Sequence, residues 1–352
     1  MTDYKIPSFL KTILSDKIKR NLRTFFLPLH INHLFGPMSI KLSHNEAAVT
    51  CVLKNGEFYI DAFIDHYLNM GFRHIFFLDN GSTDGTIDLI RKYSNVSVFK
   101  CMLPIEKYQI IYKQFAAEKF ISNGWCLDAD IDEFFDYPFS KSMSLENFVE
   151  YLNVNGFSAV LCQMIDMFSE KPLSSLTENA SKEELKTIYC YYDLSNVTMV
   201  DYFTSDMTRK YAPQNVVAHE NSKLLFGGIR KSLYGLNCLL TKHSLFLTGK
   251  GLDIFPHVHF VDKAKIADVS CAILHYKLAS NAYETAMQNK EAFIGNSKGY
   301  RDFIRLIEEN PEYCIRSINS SELQSINDLV NDKYLFCSDN YIQYINQLTP
   351  SV

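Results

Sequence analysis

Trp125-Cys126-Leu127-Asp128-Ala129-Asp130-Ile131-Asp132-Glu133-Phe134-Phe135-Asp136 is the stretch on which the reading of this chain turns. A short apolar run ends in four acids, Asp128, Asp130, Asp132 and Glu133, as a buried strand opening into an acidic turn would. Carboxylates crowded in this way repel one another and resist desolvation, so the cluster needs a cation. Oxygen ligands on a tight turn suit Mg²⁺ or Mn²⁺, which takes one or two carboxylates and fills its shell with phosphate and water. Such a shell describes a nucleotide-diphosphate site. Standing alone, the stretch would read equally well as a solvated acidic turn.

Its surroundings narrow the choice. Upstream and downstream lie further short apolar runs, Ala47 to Leu53, His74 to Leu78, Val96 to Cys101 and Ala159 to Ile165, with little polar alternation, as strands buried on both faces should have. Between them come helix-like segments: Tyr59 to Met70, closed by Gly71; Thr86 to Tyr93; and Ile110 to Asn123, closed by Gly124. Strand and helix in alternation predict an α/β fold with a mostly parallel sheet and right-handed crossovers. Ligands then bind at the carboxyl ends of the strands.

Chemistry-bearing residues fall at those ends. The first run is followed by Lys54-Asn55-Gly56-Glu57 and the second by Asp79-Asn80-Gly81-Ser82-Thr83-Asp84-Gly85-Thr86. Asp79 is placed to accept hydrogen bonds from a base edge or ribose, and Ser82 or Asp84 to cap the helix after Gly85. Asp and Gly are also the default turn residues, so Asp84 and Gly85 alone say little. Three polar loops converging on one sheet edge say more.

Composition bounds the rest. With 352 residues, 47% of them hydrophobic and 21% charged, the chain can bury a large core in roughly two units. A net charge of −5 argues against nucleic acid as the main partner. Nine cysteines, an odd number with no Cys-x-x-Cys pair, read as reduced thiols and a cytoplasmic setting. No signal peptide and no long apolar segment is evident in the sequence. Residues 1–45 read as an amphipathic helical extension, with Lys5, Lys11, Lys17, Lys19, Arg20 and Arg23 on its basic face; it would either pack on its own domain or meet the inner face of a membrane.

In combination, Lys54-Asn55 with Glu57, His66 and Gly71, the Asp79 to Thr86 run, Trp125, and Asp130-Ile131-Asp132-Glu133-Phe134 resemble the family 2-type glycosyltransferases of the GT-A fold. The likeness covers about residues 47 to 280 and is strongest to the branch related to glycosyltransferase family 92, found in bacterial surface-polysaccharide loci. It implies a GT-A-like (nucleotide-diphospho-sugar transferase) domain over residues 46–280, with a C-terminal helical region over 281–352. It also implies an Asp-x-Asp pair at Asp130 and Asp132, with Asp128 and Asp130 as a second register, holding Mn²⁺ or Mg²⁺ against the diphosphate of a nucleotide-sugar donor. The expected donor-binding set is Lys54, Asn55, Glu57, Asp79, Asn80, Asp130 and Lys277. The acceptor would be a glycan or lipid-linked glycan, and transfer would invert the anomeric carbon in surface polysaccharide or lipopolysaccharide synthesis.

Later residues extend the reading. Residues 170 to 200, rich in Ser, Glu and Lys, read as a variable insertion or a loop-helix segment. In Phe226-Gly227-Gly228-Ile229-Arg230-Lys231 the glycines allow close backbone approach and the cations suit phosphate or a sugar carboxylate. Similar loops in this branch lie on the acceptor side, which nominates Gly228, Arg230 and Lys231. The resemblance also implies a late histidine on the metal with a lysine beside the leaving diphosphate; His275, with Lys277, is preferred to His259. The usual Glu-Asp signature of family 2 is missing, and Asp166, just past the Ala159 to Ile165 run, stands as the candidate base, with a helix cap as its other reading. Two readings from other classes remain: a haloacid-dehalogenase-type phosphatase with Asp128 as nucleophile, and a catalytically silent glycan-binding protein on the same scaffold.

Overall fold

A computed structural model describes residues 16–176, 184–279, 298–310 and 312–348. Ten strands form one sheet: β1 Asn32–Phe35, β2 Ala47–Leu53, β3 Ile75–Asp79, β4 Val96–Lys100, β5 Trp125–Asp128, β6 Glu133–Asp136, β7 Ala159–Asp166, β8 Val216–Val217, β9 Thr241–Leu247 and β10 Lys265–His275. Their order is β1-β4-β3-β2-β5-β9-β7-β10-β8, with β6 paired to β10. The neighbours from β4 through β5 are parallel, as are β7, β10 and β8. Among the interior strands β9 alone is reversed, antiparallel to both β5 and β7. The expected α/β class with a mostly parallel sheet is the one observed.

The apolar runs form strands because helices cover both faces. In β2, Val49 and Cys51 join one core cluster with Ile60, Phe63 and Tyr67 of α2 (Glu57–Met70). Ala48 and Val52 point the other way, to Tyr108, Ile111 and Tyr112 of α4 (Ile105–Phe120); α1 is Asp16–Phe26 and α3 is Thr86–Ile90. That two-residue period with both sides apolar explains the missing polar alternation. Gly71, at φ 108°, ends α2 in the left-handed conformation its position suggested.

Some boundaries differ from expectation. Helix α4 begins five residues earlier than the periodicity indicated, because Pro104 supplies a fixed φ at its start. It stops at Phe120 rather than before Gly124, where Ile121 bridges to Ile40. The amino-terminal segment is not purely helical, since β1 adds an edge strand beside β4; its first fifteen residues lie outside those described. Toward the carboxyl end, helices Lys298–Glu309, Ile326–Asn331 and Asp339–Leu348 fit the polar helical reading. That region is tied back by Ser320–Glu322, which pairs with Tyr191–Asp193 in the expected insertion. All nine cysteines are free thiols.

Candidate active site

Parallel strands bring their carboxyl ends to one edge, and five of them carry expected residues there: Lys54 after β2, Asp79 ending β3, Asp128 ending β5, Asp166 ending β7 and His275 ending β10. Register does the rest. His275 lies opposite Asp166 in the β7–β10 pair and opposite Glu133 in the β6–β10 pair, which leaves the Ala129 to Asp132 turn beside the imidazole. The Tyr276 N–H donates to the Asp132 carbonyl over 2.8 Å. From α2, the Tyr59 hydroxyl donates to the Tyr276 carbonyl and the Tyr67 hydroxyl to that of Glu133. The acidic turn is therefore anchored by backbone bonds on both flanks, and its side chains are held in fixed directions.

His275 sits between two carboxylates. Its Nδ1 is 2.5 Å from Oδ1 of Asp166, and its Nε2 is 3.3 Å from Oδ2 of Asp132. Burial alone would push the imidazole pKa down, but Asp132 and Asp166 outweigh it and raise the group to about 9. Asp166 is buried, its second oxygen accepting from Nε of Arg230 at 2.8 Å. Burial opposes ionisation of Asp166, yet His275 and Arg230 hold its carboxyl below the ordinary range. Asp132 is the more open end of this chain of charges, with 24% of its side chain exposed.

The other acids are compensated from within. Lys113, buried on α4, places Nζ 2.7 Å from both Asp128 and Asp130. Lys242 reaches Asp130 over 3.2 Å and pairs with Glu133. Lys242 is the second residue of the one reversed interior strand, whose amino-terminal end lies at the edge where the parallel strands finish. Burial would raise the Asp130 pKa, but Lys113 and Lys242 hold it well below the ordinary range. Burial lifts Asp128 to about 6 against the opposing pull of Lys113, and its Oδ1 is buried without a partner.

The sequence found neither lysine. A lysine on the apolar stripe of α4, between Tyr112 and Ala116, is a signal that a buried charge has a partner; Lys242 carried none.

The remaining expected residues fall into two groups. Asn55 and Glu57 staple the first loop to the second: the Thr83 N–H donates to Oδ1 of Asn55 at 2.9 Å and the Gly85 N–H to Oε2 of Glu57 at 2.8 Å. Asp79 is fully buried and accepts from the N–H groups of Gly81 and Ser82, while Asn80 donates to the Cys101 and Leu103 carbonyls. These four tie the rim loops together through their side chains. Lys54 and Lys277 are exposed, and Lys277 is close enough to Asp132 to help lower its pKa, behind the larger effects of burial and His275.

On the other side, Gly227 has φ 94°, and a Cβ there would meet the Asn196 carbonyl oxygen at 2.4 Å, so the turn requires glycine. Gly228 follows it, buried at φ 67°, and Lys231 is exposed. Arg230 donates from Nε to Asp166 over 2.8 Å. His259 bonds the Thr241 carbonyl through Nδ1, and burial and Lys242 together push its pKa well below the usual value.

With one oxygen on His275, the other on Arg230 and its side chain buried, Asp166 is placed to orient the imidazole.

Whether these groups suit a divalent ion can be tested on spacing. Two cis ligands of an octahedral ion with bonds of about 2.1 Å stand roughly 3 Å apart, and Asp132 Oδ2 and His275 Nε2 are separated by 3.3 Å. A ligating histidine also donates its other N–H to a carboxylate, the place Asp166 occupies. Asp132 and His275 therefore fit as two protein ligands. Asp130, with both oxygens on ammonium groups and 36% of its side chain exposed, lies on the same turn. No cluster of three or more metal-ligating side chains occurs among the described residues, so further ligands would be water and phosphate.

No protein-family model matches the chain, and no curated protein matches it. Among solved structures it is similar to S. aureus TarS 1-349, at 15% identity and a TM-score of 0.29 over 41% of this chain and 55% of that one. A second S. aureus TarS structure matches at 17% identity and a TM-score of 0.27, over 38% of this chain and 27% of that one. HddC from Yersinia pseudotuberculosis matches at 12% identity and a TM-score of 0.31, over 69% of this chain and 99% of that one. The matched parts span about half and about a quarter of the two TarS chains.

Proposed function

We propose that this chain is a glycosyltransferase, moving a sugar from a nucleotide-diphosphate donor to a hydroxyl of a glycan or lipid-linked glycan, with inversion, in surface polysaccharide or lipopolysaccharide synthesis. The observation that carries the reading is the Asp132–His275 pair, 3.3 Å apart at the carboxyl edge of the sheet and backed by Asp166. The sequence resemblance to family 2-type enzymes, in the branch related to family 92, supplies the reaction class; the donor nucleotide and sugar lie beyond it.

Asp132 and His275 would hold Mn²⁺ or Mg²⁺, which when bound supplies positive charge against the leaving diphosphate. The protein's own groups do the rest. Asp166 and Arg230 fix the imidazole plane; Lys113 and Lys242 neutralise Asp128, Asp130 and Glu133, so the turn keeps its shape when no donor is present. Lys277, exposed beside Asp132, adds a mobile positive charge whose value grows as the bond to the diphosphate breaks. The three units 1–45, 46–280 and 281–352 are retained as the proposed division, and a cytoplasmic location is proposed with them. Incubation with a panel of nucleotide sugars and Mn²⁺, reading nucleoside diphosphate release, tests the assignment.

The phosphatase reading meets a geometric obstacle. Asp128, its nucleophile, is buried and paired to Lys113, with no approach for a phosphate ester. The silent-module reading has no specific observation in its favour.

A further inference from the structure

We infer that α1 and the turn after it form a docking surface for an anionic lipid bilayer. Of the eleven exposed large apolar side chains among the described residues, five lie between residues 18 and 38: Ile18, Phe25, Leu29, Leu34 and Met38. Singly exposed apolar residues need no explanation, but concentration in one segment does. Ile18, Phe25 and Leu29 are separated by seven and four residues, a spacing that keeps them on one side of α1 and the Leu27–His30 turn. Phe25 is 75% exposed and Leu29 80%.

The opposite side of the helix is already occupied. Arg20 donates to Gln114 of α4 and to the Phe255 carbonyl, Arg23 stacks over Tyr108 at 5.6 Å, and Leu27 is fully buried. The helix is therefore seated, and its apolar stripe is presented outward by contacts that fix its rotation.

Charge decides the occupant. Residues 16–38 carry Lys17, Lys19, Arg20 and Arg23 against Asp16 alone, in a chain whose net charge is −5. Lys19 remains part exposed beside the stripe. A second copy meeting this face would bring like charges together, whereas an anionic bilayer takes the apolar side chains into its headgroup layer and pairs with the cations. Upstream, Lys5 and Lys11 among Ile6, Phe9, Leu10, Ile13 and Leu14 continue the same composition in the sequence. No helix among the described residues is long and apolar enough to cross a membrane, so the contact is one of lying on the surface.

The test is flotation of the full chain with vesicles of phosphatidylcholine, alone or with one third phosphatidylglycerol, at about 0.1 M salt. Wild type should float with the anionic vesicles and stay behind with the neutral ones. The double variant F25S/L29S should lower the bound fraction about tenfold or more, with an unchanged melting curve because both side chains are exposed. Failure of wild type to float with anionic vesicles overturns the inference, as does equal flotation of the variant. So does a dimer in sedimentation equilibrium that F25S/L29S dissociates, since the stripe would then serve a second copy.

Discussion

Asp166 stands 2.5 Å from the inner nitrogen of His275 and shares its other oxygen with Arg230. A buried carboxylate held from both sides orients its histidine and has little freedom to exchange protons with a bound substrate. Asp166→Asn should therefore weaken Mn²⁺ binding about 10- to 100-fold, with activity partly restored by raised Mn²⁺. Electron paramagnetic resonance of free Mn²⁺ reads this directly. Unchanged Mn²⁺ affinity combined with lost turnover would point to Asp166 as the base.

The two registers of the acidic pair separate experimentally. Asp132→Asn should abolish Mn²⁺-dependent thermal stabilisation by nucleoside diphosphate, whereas Asp130→Asn should leave most of it, because Asp130 faces Lys113 and Lys242. Asp132→Asn should also cost about 1 to 3 kcal/mol of stability, because it weakens the contact with the buried His275. Equal loss of metal response in both variants would show that both acids are ligands.

Lys113 should matter more to folding than any other residue of the site. Lys113→Met leaves Asp128 and Asp130 without their shared cation, and breaking a buried pair from one side costs about 3 to 5 kcal/mol. Lys113→Met combined with Asp128→Asn should recover a good part of that loss. Urea melts of the two single variants and the double form a cycle; strict additivity would mean that the ion pair contributes nothing specific.

The fold was legible because a doubly covered sheet writes itself as apolar runs, and Val49 and Ala48 show why both faces are apolar. The place of His275 at the end of a strand follows the same pattern, since residues 266–274 before it are buried throughout. What escaped were contacts set by strand direction and by side-chain reach. Lys242 meets Asp130 only because β9 is reversed, and nothing local in Thr241-Lys242-His243-Ser244 announces the reversal. Asn55, Glu57, Asp79 and Asn80 were correctly placed at the strand ends, but a sequence does not show that their polar atoms close on neighbouring loop backbone. The bond from Arg230 to Asp166 escaped for the same reason: a loop's position is readable before its side-chain direction.

Acid should destabilise the protein through buried histidines that lie outside the Asp132–His275 pair. Burial lowers the pKa of His66 to about 3 and of His74 and His243 to about 4. Each folded-state value lies below the unfolded value near 6.5, so the unfolded chain binds more protons between those limits. Stability is then full above pH about 6.5 and falls as pH drops toward 4, by up to about 3 kcal/mol for His243. His243→Gln should flatten this part of the pH profile in chemical denaturation; an unchanged slope would mean that His243 titrates normally.

The central claim is that the Asp132–His275 pair serves sugar transfer from a nucleotide donor. The most direct measurement is Mn²⁺-dependent release of nucleoside diphosphate from a panel of nucleotide sugars by wild type, Asp132→Asn and His275→Ala. One donor should be turned over by wild type, lost in Asp132→Asn, and partly recovered in His275→Ala as Mn²⁺ is raised. Turnover that persists in Asp132→Asn, or no turnover and no Mn²⁺-dependent stabilisation with any donor, would contradict the account.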